Sequence, residues 1–81
     1  MNWLYNFKDY CEANGLQLLP EDMRYLDKML RKISVCDRRD VAHKYYNVWV
    51  RNMALAPTRG MAMNYGRRRA NEYLTEECEK K

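Results

Sequence analysis

Breakers constrain this chain more than any other feature. It has three glycines and two prolines in 81 residues, and four of these five sit in two short stretches, Gly15 to Pro20 and Pro57 to Gly60. A fold of many short strands needs glycine and proline at frequent turns, so this scarcity favours long helices. The rest of the composition is that of a folded chain, 47% apolar and 12% aromatic, well above what disordered segments carry. At this length a single domain with a small core is expected, and such a core gains from a partner surface.

The first helix is expected over about residues 2–14, with Asn2 as its cap and Gly15 in the left-handed position that ends helices. Trp3, Phe7, Tyr10 and Asn14 fall in one narrow arc, with Leu4 and Cys11 beside it. After the connector LQLLP, Pro20 suits the first turn of a second helix over about 20–34, and Glu21 and Asp22 favour its positive end. Met23, Leu26, Leu30 and Ile33 form its inward stripe.

SVCD then makes a short turn, and Asp37 is the expected cap of a third helix over about 38–56. Its main stripe is Val41, Tyr45, Val48, Asn52 and Leu55, flanked by Trp49 and Ala56, and Pro57 stops it. Thr58 is the expected cap of a fourth helix over about 59–78, lined by Met63, Gly66, Ala70, Tyr73 and Leu74. Gly66 and Ala70, four residues apart, allow a neighbouring backbone to come close. Connections this short make neighbouring helices antiparallel, so the expected fold class is all-α, a compact bundle of three to four helices.

Charge is distributed in blocks. Residues 1–30 hold three basic and five acidic groups, residues 31–70 ten basic and two acidic, and residues 71–81 two basic and four acidic. The positive block includes the run NYGRRRANEYL. At 100° per residue, Arg68 and Arg69 face away from the apolar stripe together with Tyr65, while Arg67 lies at the core edge with its guanidinium expected to reach water. Glu72 is spaced to pair with Arg68 and Arg69, but one glutamate cannot neutralise three arginines.

Opposite the main stripe of the third helix lie Arg39, His43, Tyr46, Asn47, Val50 and Met53. Tyr46, Val50 and Met53 form a second apolar line, which is either buried on a second side or meets a partner. Tyr25 and Met29 on the second helix raise the same alternative. Arg39, His43 and Asn47 recur at four-residue intervals and are residue types that read base edges. With the SVCD turn before them, the second and third helices resemble a helix-turn-helix in outline, although the turn lacks glycine and Asp37 and Asp40 stand at the helix entrance. Asn52, on the main stripe, needs a hydrogen-bond partner if it is buried.

Several function classes find no support. His43 is the sole histidine, and no spacing joins it to Cys11, Cys36 or Cys78 as a nucleophile–base pair or a zinc set. The odd number of cysteines points to a reducing cytoplasm, with the thiols as small apolar residues at helix edges. No signal peptide is expected at the N-terminus and no apolar run reaches the length of a membrane span. No Gly-rich phosphate loop and no carboxylate pair placed for acid–base work are present, so neither an enzyme nor a cofactor is expected.

Two binding roles remain. In the first, Arg38, Arg39, Lys44, Arg51, Arg59, Arg68 and Arg69, with Tyr46 and Tyr65 and the base-reading types His43 and Asn47, engage nucleic acid. In the second, the Tyr46–Val50–Met53 line, joined by Tyr25 and Met29, anchors a protein or nucleoprotein target inside an arginine rim, as a regulator or inhibitor would. In size, helicity and charge the chain is similar to the short accessory proteins of phages and plasmids. A homodimer through the same apolar line is compatible with either role.

Overall fold

The computed structural model describes the backbone of residues 2–79 and the side chains of residues 4–79. Four α-helices account for most of it: α1 (Asn2–Ala13), α2 (Pro20–Leu30), α3 (Val35–Met53) and α4 (Ala62–Cys78), with a single 3-10 turn, Arg59–Met61, leading into α4. Among the described residues there is no strand, and the architecture is an all-α small bundle. Its radius of gyration is 12.2 Å, close to the ~12 Å expected of a compact chain this long. Trp3 and the Asn2 cap, both named from the sequence, lie outside the described side chains.

The breakers act where the sequence places them. Gly15 takes φ +84°, and the amides of Gly15 and Leu16 return to the carbonyls of Glu12 and Cys11 at 3.1 and 2.8 Å. This is the Schellman pattern, in which only a residue tolerant of the left-handed region closes the helix cheaply. Leu16 and Cys11, whose contact accompanies that pattern, are both buried. Pro20 opens α2, and the carboxylate of Asp22 accepts the backbone N–H of Leu19 at 2.9 Å.

Four helix boundaries differ from expectation by three or four residues: the end of α2, both ends of α3 and the start of α4. α2 ends at Leu30, four residues early, because Arg38 reaches back from α3 and its Nε donates to the carbonyls of Leu30 (2.8 Å) and Ile33 (3.3 Å). α3 begins at Val35, since the Oγ of Ser34 accepts the N–H of Cys36 at 3.3 Å and displaces Asp37 as the cap. Ser and Asp are comparable caps, and Ser34 comes first in the chain. At the other end α3 stops at Met53, before tightened turns that end at Pro57. Thr58 is extended and makes no side-chain capping bond.

The core gathers Leu4, Phe7 and Cys11 of α1, Leu16 and Leu18 of the connector, Leu26, Met29 and Leu30 of α2, Val41, Ala42, Tyr45 and Trp49 of α3, and Ala70, Leu74 and Cys78 of α4. Burying each large apolar side chain contributes roughly 1.5–3 kcal/mol. The phases of α1 and α3 are rotated from the sequence reading, while the stripe Met23, Leu26, Leu30 and Ile33 expected on α2 faces the core. On α1 the buried arc is Leu4–Phe7–Cys11, while Tyr10 is 46% exposed and Asn14 turns its amide to the Tyr10 carbonyl. On α3 Trp49 sits at the centre of the stripe, with Val48 and Asn52 half-buried and Leu55 65% exposed. Asn52 finds a partner for its donor locally, its amide nitrogen donating to the Val48 carbonyl at 2.7 Å. On α2 Met29 is buried and is withdrawn as an interface candidate.

α3 and α4 pack as an antiparallel hairpin and approach closely at Gly66. A Cβ built there would lie 2.6 Å from the Trp49 carbonyl oxygen and 2.8 Å from Cγ of Met53. α2 is tied to α4 by the Tyr25 hydroxyl, bonded to Oγ1 of Thr75, and by Asp22, whose carboxylate oxygens both lie 3.0 Å from Nε of Arg67. α1 covers one flank of α3, where Phe7 and Tyr10 meet His43 and Tyr10 also meets Tyr46.

All three cysteines are free thiols, two of them inside. Burial pushes Cys11 up to about 12 and raises Cys78 as well. At pH 8 a maleimide should accordingly label Cys36 alone in the folded protein, and all three thiols once it is denatured. Rapid native labelling of a second thiol would contradict this packing.

Candidate functional site

With Val41, Ala42, Tyr45 and Trp49 turned inward, helical periodicity leaves His43, Lys44, Asn47 and Arg51 exposed on the outer arc of α3. That arc has two borders. Toward α1, Asn6, Phe7, Tyr10, Arg39 and His43 line a shallow groove of about 290 Å³. Toward α4, a second groove is lined by Val48, Asn52, Arg69, Glu72, Tyr73 and Glu76, which places Arg69 beside the turn of α3 that carries Arg51. Arg68 lies on the other side of α4, in an open concavity shared with Asn64, Arg67, Asn71, Thr75 and the carboxylates Glu72 and Glu76.

The cations differ in how far they are committed. Arg67 is the most committed: only 20% of its side chain is exposed, its Nε holds Asp22, and its Cζ lies 5.1 Å from the Trp49 ring centroid. It is turned inward rather than to water, because its anion lies 45 residues away on α2 and is invisible to local spacing. Arg38 caps α2 and is likewise withdrawn from the basic face. Lys44 pairs with Asp40 at 3.1 Å, and Arg68 and Arg69 share Glu72 at 3.9 and 3.1 Å. Such exposed pairs are worth about 0–1 kcal/mol and exchange readily for another anion. Among the described residues Arg51 and Arg59 have no ion pair within 4.0 Å.

The positive surplus therefore lies at the loop end of the α3–α4 hairpin. No acidic residue occurs between Val41 and Asn71, and the carboxylates of α4 begin only at Glu72. Antiparallel packing brings Arg51, Arg59, Arg68 and Arg69 toward the same end, where Glu72, and Glu76 one turn beyond it, line the grooves with Arg68 and Arg69. Tyr65 is half-buried there. The second apolar line does not survive as a continuous surface. Tyr46 is half-buried against Tyr10, with ring centroids 5.2 Å apart, and Met53 is half-buried beneath Gly66. Val50 stays 39% exposed, and Leu55 and Met61 are exposed at the same hairpin end. Tyr25 is half-buried and bonded to Thr75.

On the side toward α1, Phe7 and Tyr10 abut His43 at ring distances of 5.7 and 5.8 Å, while Arg39, His43 and Asn47 stay exposed. Tyr10 and Asn6 are the site residues that sequence reasoning missed. The signal was present in the alternative spacing Leu4, Phe7, Cys11, which leaves Tyr10 outside the buried arc. Among the described residues no group of three His, Cys, Asp or Glu side chains is arranged to hold a metal ion, and no helix is long and apolar enough to cross a membrane. Comparison with protein-family models, curated proteins and solved structures returns no match for this chain.

Proposed function

We propose that the protein is a small non-catalytic binding module whose α3–α4 hairpin engages the phosphate backbone of a nucleic acid. The observation that carries this reading is the cationic surplus at the hairpin's loop end, where Arg51 and Arg59 lack ion pairs among the described residues and Arg68 and Arg69 share Glu72. Arginine suits the task, because its planar fork matches phosphate oxygens. Binding through a few phosphates releases counterions, so affinity should fall steeply as salt rises.

The test is titration of labelled single- and double-stranded oligonucleotides across a salt series. The double variant Arg51→Glu/Arg59→Glu should weaken binding at least tenfold and flatten the salt dependence. Arg24→Glu/Lys28→Glu changes the charge equally on α2, away from the hairpin, and should have little effect. Equal loss in both variants would reduce the binding to net charge, and absence of binding at low salt would refute the proposal.

A protein or nucleoprotein target is the second reading, supported by the exposed apolar side chains Val50, Leu55 and Met61 beside these arginines. It predicts that Leu55→Ser/Met61→Ser abolishes association while the arginine variants only weaken it.

A further inference from the structure

Tyr10, His43 and Tyr46 form a ladder of rings across the α1–α3 seam. His43 stands edge-on to both Phe7 and Tyr10, at interplanar angles of 89° and 72°, and Tyr10 leans on Tyr46 at 59°. Phe7 is the buried floor of this arrangement, and Tyr10 and His43 are its exposed surface. A phenol is neutral near neutral pH, and burial and the neighbouring Tyr10 only raise the pKa of Tyr46 further, so the ladder carries no phenolate charge there.

Asn6 and Arg39 also line the groove over this ladder. A ring surface, an amide and a cation around about 290 Å³ leave room for a small planar group, not for a helix or strand. Along α3 the ladder leads directly to Asn47, Val50 and Arg51. From His43 to Arg51 the helix rises about 12 Å, the span of a few nucleotides rather than of a duplex groove crossing.

We infer that the Tyr10–His43 groove is a base-stacking platform, and that the ligand of the hairpin is a single strand whose bases lie on these rings while its phosphates run to Arg51. The inference rests on the phosphate-binding reading above and narrows it. Stacking needs an unpaired base, because the faces of paired bases are covered by their neighbours in a duplex, and aromatic side chains take any base. Sequence preference is therefore weak.

The test uses a labelled 15-residue oligothymidine, the same length of RNA, and a duplex of equal length, with the full chain. Wild-type protein should bind the single strands about tenfold or more tighter than the duplex. Tyr10→Leu should lose roughly five- to fiftyfold in single-strand affinity with an unchanged salt slope, and Tyr10→Phe should retain it. Thermal melting of both variants checks that the fold is intact, as expected for a side chain that is 46% exposed. Duplex binding as tight as single-strand binding, or a silent Tyr10→Leu alongside sensitive Arg51→Glu/Arg59→Glu, would overturn the platform and leave the phosphate surface standing. Absence of binding to every oligonucleotide would overturn both.

Discussion

Asp22→Ala is expected to destabilise the protein by about 3 kcal/mol, the low end of what losing one partner of a buried ion pair costs. Asp22 is 5% exposed and has two tasks at once. It accepts the Leu19 amide that starts α2 and holds the guanidinium of Arg67 on α4. Removing it leaves an N-terminal amide and a largely buried cation without their acceptor. The remaining neighbours of Arg67, the Asn64 side-chain oxygen and the face of Trp49, are neutral. The cost stays at the low end because the guanidinium can swing to solvent along its exposed edge. For a domain this size the melting temperature should drop by upwards of roughly 10 °C. Adding Arg67→Met to Asp22→Ala should recover part of the loss, since an unpaired charge no longer remains. Urea or thermal denaturation reads both, and a loss under ~1 kcal/mol for the single variant would demote the pair to a surface contact.

Gly66→Ala is the second large effect. Alanine normally stabilises a helix relative to glycine by up to about 1 kcal/mol, so a neutral site would gain. Here the new Cβ falls 2.6 Å from the backbone oxygen of Trp49, an atom that cannot move without moving α3. The helices must separate, loosening Trp49 and Ala70 together, and a net loss of about 1–3 kcal/mol is expected. Gly60 is the internal control: nothing lies within 4 Å of a Cβ there and its φ is not positive. Gly60→Ala should therefore be neutral or gain about 0.4–1 kcal/mol. Opposite signs for the two substitutions are the expected result in equilibrium denaturation. Matching signs would mean that α3 and α4 do not pack through Gly66.

Arg67 shows how far local reading extends. Spacing along one helix finds the pairs that Arg68 and Arg69 make with Glu72, since three and four residues are a single helical turn. It cannot find Asp22, which becomes a neighbour only when α2 docks on α4. The same holds for Arg38, a candidate contact by charge alone, which is spent on the carbonyls that end α2. The basic face is therefore smaller than the composition suggests, and it is concentrated in the stretch from Val41 to Asn71, which holds no acidic residue.

What the sequence determined by itself are the features set by a few consecutive residues. These are the helical class, the end of α1 at Gly15, the start of α2 at Pro20, the stop before Pro57 and the close approach at Gly66. Steric limits on φ, a missing amide hydrogen and a missing Cβ act in place, whatever the rest of the chain does. The tertiary structure alone decided the rotation of α1 and α3 about their axes. α1 and α3 each offer two apolar arcs of similar merit, and which one is buried depends on the neighbour that covers it. That choice turned Tyr10 outward and joined it to His43, and the docking of α4 on α3 gathered Arg51, Arg59, Arg68 and Arg69 toward one end of a hairpin.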